Sequence, residues 1–125
     1  MLDPKEKSRL IAKARELREE IVKVTYACGG THIGGAFSQN DMLTAIYYKY
    51  LRFDPKNPGW ADRDRFILSK GHGGVGHAAA LGDVGFFDPA QTPFWFSQGG
   101  AVPSASSIWP SQSSSWPLQT SAGSG

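Results

Sequence analysis

Asp62-Arg63-Asp64-Arg65-Phe66-Ile67-Leu68-Ser69-Lys70-Gly71-His72-Gly73-Gly74 is the stretch that decides the fold. Alternating charge gives way to a short apolar run, then to a glycine-rich turn, then to the small and apolar residues Val75 to Leu81. An apolar run of this length, bounded by charge and by glycine, predicts a buried strand of a parallel sheet. With a third helix over residues 75–81, the expected class is α/β. A glycine turn between strand and helix exposes backbone N–H groups beside the positive helix end, which suits a phosphate. Ser69 and Lys70 add side-chain donors there, and His72 adds another. The same glycines also serve backbone geometry alone, and spacing does not separate the two readings.

Upstream, Leu10, Ala14, Leu17, Ile21 and Val24 recur at alternating spacings of four and three. Ile11 and Val22 widen that stripe, while Lys13, Glu16, Glu19, Glu20 and Lys23 face away. The period predicts an amphipathic helix over residues 5–27. Gly29 and Gly30 stop it, since glycine takes a left-handed helix terminus at little cost. A glycine-rich loop over residues 29–37 follows and carries His32. A histidine so placed is either a capped or solvent-facing residue or, with ligand access on both sides, an acid or base near neutral pH. Ser38 and Asp41 then predict the start of a second helix. Its buried face is Met42, Leu43, Ile46, Tyr47, Tyr50 and Leu51. Pro55 and Pro58 break any helix across residues 54–60 and predict a surface turn ending in a buried or half-buried Trp60. Asp62 and Asp64, alternating with Arg63 and Arg65, predict a local ion-pair network.

The 13 Lys or Arg and 11 Asp or Glu all lie between Asp3 and Asp88, for a net charge of +2. Basic residues so interleaved with acidic ones argue against nucleic acid as a partner. No apolar run reaches the roughly 20 residues that cross a bilayer, and the N-terminus has no signal-peptide stretch. A cytoplasmic protein without a membrane partner is expected. The single Cys28 has no partner for a disulfide or a CxxC pair and reads as a structural thiol. His77, among alanines, reads as a packing or surface residue. The folded body is expected over residues 1–91. Residues 92–125 hold no charge, 10 Ser, four Pro, and Trp95, Trp109 and Trp116. This tail reads as a disordered Ser/Pro linker, a divergent ordered loop, or out-of-frame coding sequence.

The runs Gly29-Gly-Thr-His-Ile-Gly-Gly-Ala-Phe-Ser38 with Asp41, Asp54-Pro-Lys-Asn-Pro-Gly-Trp60 and Asp62 to Gly73 carry a family resemblance. They resemble the N-terminal thiamine-diphosphate-binding domain of transketolases, especially the split type in which that domain is a separate subunit. The resemblance covers residues 8–91. It implies the N-terminal part of a three-layer fold, a parallel sheet flanked by helices, left incomplete and followed by an irregular tail. The family's Gly-His-x-Gly-Gly histidine, which contacts the sugar's hydroxyls in the active site, corresponds to His32 as the catalytic residue. Thr31 departs from the pattern, whereas Gly34 and Gly35 match it. The family's Ser-x-Gly-His-Gly histidine, beside the cofactor's diphosphate and thiazolium, corresponds to His72. Gly71, Gly73 and Ser69 are then the accompanying cofactor-binding positions.

The implied reaction is transfer of a two-carbon ketol unit between sugar phosphates, as in the pentose phosphate pathway. The implied cofactors are thiamine diphosphate and Mg²⁺. The family's Gly-Asp-Gly motif and downstream Asn, which hold that metal, have no counterpart here. Gly82-Asp83-Val84-Gly85 lies too early and reads as the end of the third helix, so no metal ligand is assigned. Weak or no cofactor binding by this chain alone is expected. The glutamate that activates the cofactor in the family sits on the pyrimidine-binding half. A C-terminal half or subunit is therefore the expected partner, in a homo-oligomer or heterotetramer. The change of composition near Ala90-Gln91 is that expected of a truncated or frameshifted domain. Two alternatives remain: a non-catalytic fragment or interaction module docking on a full-length subunit, and a deoxyxylulose-phosphate-synthase-like enzyme. The Trp60 to Arg65 run disfavours the second.

Overall fold

The computed structural model describes residues 1–93, and its long elements are α1 (Pro4–Cys28), α2 (Ile33–Ala45) and α3 (Gly74–Val84). α1 opens on Pro4, whose missing N–H costs nothing in a first helical turn. The spaced stripe is the buried one: Leu10, Ala14, Leu17, Ile21 and Val24. The helix ends at Gly29, in the left-handed conformation with φ +86°. A Cβ at Gly29 would meet nothing within 4 Å, so a side chain there is opposed by backbone conformation alone. Gly29→Ala is accordingly expected to cost about 1–2 kcal/mol. The check is a lower urea midpoint at unchanged m-value; an unchanged midpoint would contradict the assigned conformation.

α2 starts at Ile33, not at Ser38. Gly34 and Gly35 weaken a helix by roughly 1 kcal/mol each, which is why propensity favours the later start. Packing overrides that propensity. Ala36 is fully buried, and a Cβ on Gly76 of α3 would lie 3.3 Å from the Ala36 Cα, so the two helices cross closely there. Ser38 is inside the helix, its hydroxyl donating to the Gly35 carbonyl at 3.0 Å. α2 continues into a π-helical turn, Ile46–Tyr50, closed by the Leu51 N–H on the Ile46 carbonyl at 2.9 Å. Tyr47 is buried there, while Met42 and Tyr50, expected inside, are exposed.

The expected α/β class does not hold: among the described residues every regular element is helical and no sheet is present. Phe66-Ile67-Leu68 leaves Ile67 59% exposed between two half-buried neighbours. The alternation is that of a chain with one covered face, whereas a central parallel strand is covered on both. A strand also needs a neighbour to satisfy its N–H and C=O groups, and a parallel neighbour arrives only after a crossover of about a dozen residues or more. The described residues contain no such second strand. The apolar run therefore lies as an extended connection, with Phe66 packed against the helices.

The helices pack pairwise on one another around two clusters. Leu17, Leu43, Tyr47, Ala80 and Leu81 form the first, with Phe53, Phe66, Phe86 and Phe87 against it. Ile21, Val24, Ala36, Val75 and Ala79 form the second, flanked by Ile33 and Phe37. The connection over residues 51–70 differs from expectation in detail. Trp60 is exposed. Asp64 pairs with Arg52, whose backbone N–H donates to it at 2.8 Å and whose guanidinium lies at 3.2 Å. Those hydrogen bonds hold the Asp64 carboxyl below its ordinary value. Arg63 is buried and donates to the Pro58 carbonyl at 2.6 Å, and Arg65 donates to the Ala61 and Arg63 carbonyls. In place of the expected network within residues 62–65, Arg63 and Arg65 reach backbone carbonyls and Asp64 reaches outward to Arg52.

Of the tail expected over residues 92–125, Thr92, which is buried, and Pro93 are described; the rest lies outside the described residues. Among the described residues no helix is long and apolar enough to cross a membrane.

Candidate functional site

Two glycine-framed turns meet at one end of the helices. His32 occupies the N-terminal boundary of α2, and its side chain makes no capping bond. His72 sits in a 3₁₀ turn, Gly71–Gly73, that leads directly into α3. The imidazoles meet edge to face, with ring centroids 4.5 Å apart and planes at 89°. Both residues are exposed, as are Ser69 and Lys70 on the approach to the turn. The Lys70 ammonium donates to the Ser38 hydroxyl at 3.2 Å. The structure therefore gathers His32, His72 and Lys70 on one surface, although 40 residues of sequence separate the histidines.

The turn is seated on α2. A Cβ on Gly35 would lie 2.8 Å from the His72 carbonyl oxygen, so only glycine leaves room for that approach. A Cβ on Gly73 would overlap the Gln39 side chain, whose amide donates to the Gly73 carbonyl at 2.6 Å. Gln39 is 5% exposed. Sequence reasoning missed it, because a polar residue inside a helix reads as surface when the helix is given too late a start.

Other candidates fall elsewhere. Cys28 is half-buried, its thiol 3.6 Å from the Thr25 and Gly30 carbonyl oxygens. His77 is buried, with Nε2 2.7 Å from the Tyr47 hydroxyl and its ring edge-on to Phe66. Burial pushes its pKa down to about 4, so it is neutral at pH 7. Burial likewise pushes the Tyr47 hydroxyl above its ordinary range. Asp83 is engaged by the Tyr48 hydroxyl and by Lys13, the latter at 3.2 Å. Among the described residues no three His, Cys, Asp or Glu side chains gather into a cation site.

Residues 6–89 match the family model described as transketolase, thiamine diphosphate binding domain. The chain is 48% identical over 69 residues to the 6-deoxy-6-sulfo-D-fructose transketolase subunit SqwG of Clostridium sp., covering 55% of this chain and 24% of that protein. It is 33% identical over 92 residues to an apulose-4-phosphate transketolase subunit of Actinobacillus succinogenes, covering 73% of this chain and 33% of that one. A transketolase of Rhodobacter capsulatus is 39% identical over 62 residues, half of this chain and 9% of that protein. The chain belongs to the transketolase family, by its thiamine-diphosphate-binding domain. It spans a third or less of the length of these relatives.

Proposed function

We propose that this chain is the diphosphate-side, N-terminal part of a transketolase that transfers a two-carbon ketol unit between sugar phosphates. The observation that carries the proposal is the edge contact of the two exposed, glycine-framed imidazoles, His32 and His72. The residues present fit the anionic end of thiamine diphosphate. A glycine turn at the start of an 11-residue helix has its side-chain space filled by Gln39, and Ser69, Lys70 and His72 stand exposed beside it. His72 donates to a diphosphate oxygen, and Lys70 and Ser69 add donors. His32, one ring away, holds the hydroxyls of the sugar and carries a proton to or from them. Thiamine diphosphate, when bound, supplies the electron sink that stabilises the carbanion of the transferred unit. Mg²⁺ is given no ligand among the described residues and enters no step.

A second subunit carrying the pyrimidine-binding half completes the proposed enzyme, in a homo-oligomer or heterotetramer. Two of the relatives are named as transketolase subunits, which supports a split arrangement. Cytoplasmic sugar-phosphate metabolism, including the pentose phosphate pathway, is the proposed setting.

Two or three charge-assisted hydrogen bonds contribute about 1.5–3 kcal/mol each, against an association cost of at least roughly 4 kcal/mol. Affinity of this chain alone is therefore a few tenths of millimolar at best and falls away to none at the lower end, and NMR is the suitable measurement. Titrating the full chain with thiamine diphosphate is expected to shift the Ser69, Gly71, His72 and Gly73 signals and leave His77 unmoved. Thiamine without its diphosphate should shift none of them. Equal shifts with thiamine alone, or shifts that fall outside the turn while its signals stay in place, would overturn the assignment.

A further inference from the structure

We propose that Gln39 is a positioning residue, whose buried amide holds the Gly71–Gly73 turn so that the His72 imidazole stays edge-on to His32. The inference rests on reading these histidines as site residues, and it deepens that reading. α2 touches the turn at successive points. Gly35 accommodates the His72 carbonyl, Ser38 receives the Lys70 ammonium, and Gln39 donates to the Gly73 carbonyl at 2.6 Å. Gly35 and Gln39 are one helical turn apart and so share a face. The helix that presents them begins next to His32. Both imidazoles are therefore referenced to one rigid element, although His72 itself belongs to a short turn.

The chemistry of the side chain is specific. At 5% exposure the Gln39 amide has little access to water, so its hydrogen bond to Gly73 has no ready substitute. Asn is too short to reach, ionised Glu has no proton to donate, and Met fills the volume without donating. Asn40, the next residue, supplies the control. It is equally buried, but its amide donates to the Ala14 carbonyl of α1 at 2.8 Å, away from the turn.

The test uses the full chain, uniformly labelled with carbon and nitrogen isotopes, which gives three imidazoles, His77 being the internal reference for the core. The unsubstituted chain is expected to show an NOE between the His32 and His72 rings, and a scalar coupling across the hydrogen bond from Gln39 Nε2 to the Gly73 carbonyl carbon. Gln39→Met should abolish the His32–His72 NOE while the His77 contacts to Tyr47 and Phe66 persist. Asn40→Leu should lower Tm yet keep the His32–His72 NOE. Retention of that NOE in Gln39→Met, or its equal loss in Asn40→Leu, would reduce Gln39 to a merely structural residue and overturn the proposal. Absence of the coupling in the unsubstituted chain would overturn it whether or not either variant folds. No ligand enters this experiment, so its failure is separate from failure of the thiamine diphosphate titration.

Discussion

Ile21→Ala is expected to cost about 2–5 kcal/mol, toward the upper end of that range. Ile21 is fully buried in the C-terminal half of α1 and packs with Val24 of its own helix, Ala36 of α2, and Val75 and Ala79 of α3. It is thus the largest fully buried side chain of the cluster where the three helices meet. Ala36 and Ala79 have no reach to fill a void left there, and the β-branched Val24 and Val75 have little. The helices cannot close on it either, since α2 and α3 already approach closely at Ala36 and Gly76. Small domains retain only about 5–15 kcal/mol in total, so the variant is expected to lose most of its cooperative transition. Urea unfolding followed by circular dichroism measures this. Ile21→Val, which removes one methylene, should cost only about 0.5–1.5 kcal/mol. Similar midpoints for Ile21→Ala and the unsubstituted chain would mean that α1 does not pack as described. The site depends on this cluster, because Ala36 and Val75 each follow one of the two histidines closely in sequence and anchor the elements that carry them.

Period was the most legible signal. The stripe from Leu10 to Val24 appears in the structure as the buried face of α1, with Gly29 closing it in the left-handed conformation. The start of α2 was not legible. Its first turn contains Gly35 and is followed at once by Ala36, which lie against residues about 40 positions later, His72 and Gly76 respectively. Propensity is a local quantity and carries nothing about such contacts. The same limit misassigned Phe66-Ile67-Leu68. A short apolar run states that some face is to be covered, but not by what, and here helices and a turn take the place of neighbouring strands. The glycine-framed histidines were legible as a pair of motifs, and only the fold shows that their rings meet. Gln39 was illegible because its partner is a backbone carbonyl, a group every residue has.

Lowering the pH from 7 to 4 is expected to remove about 3 kcal/mol of stability through His77 alone. The folded-state pKa is about 4, against 6.5 for an unperturbed histidine. Above pH 6.5 the imidazole is neutral in both states and contributes no pH dependence. Between 6.5 and 4 the unfolded chain binds a proton that the folded chain refuses, so stability falls as the pH falls. Below 4 both states are protonated and this contribution levels off. The cause is desolvation: His77 is 1% exposed and packed by the rings of Tyr47 and Phe66. The window belongs to His77, because the depressed carboxyl of Asp64 loses its stabilising effect only as the pH passes below its ordinary value of 3.8. At about 4–8 °C per kcal/mol for a domain of this size, Tm should drop by roughly 12–24 °C between pH 7 and pH 4. His77→Gln retains a polar group near Tyr47 without a titrating ring; its own stability at pH 7 is lower, but its curve should be flat between pH 6.5 and 4. A variant that keeps the full slope across that window would place the titrating group elsewhere, and His77 would then be charged, and solvated, in the native state.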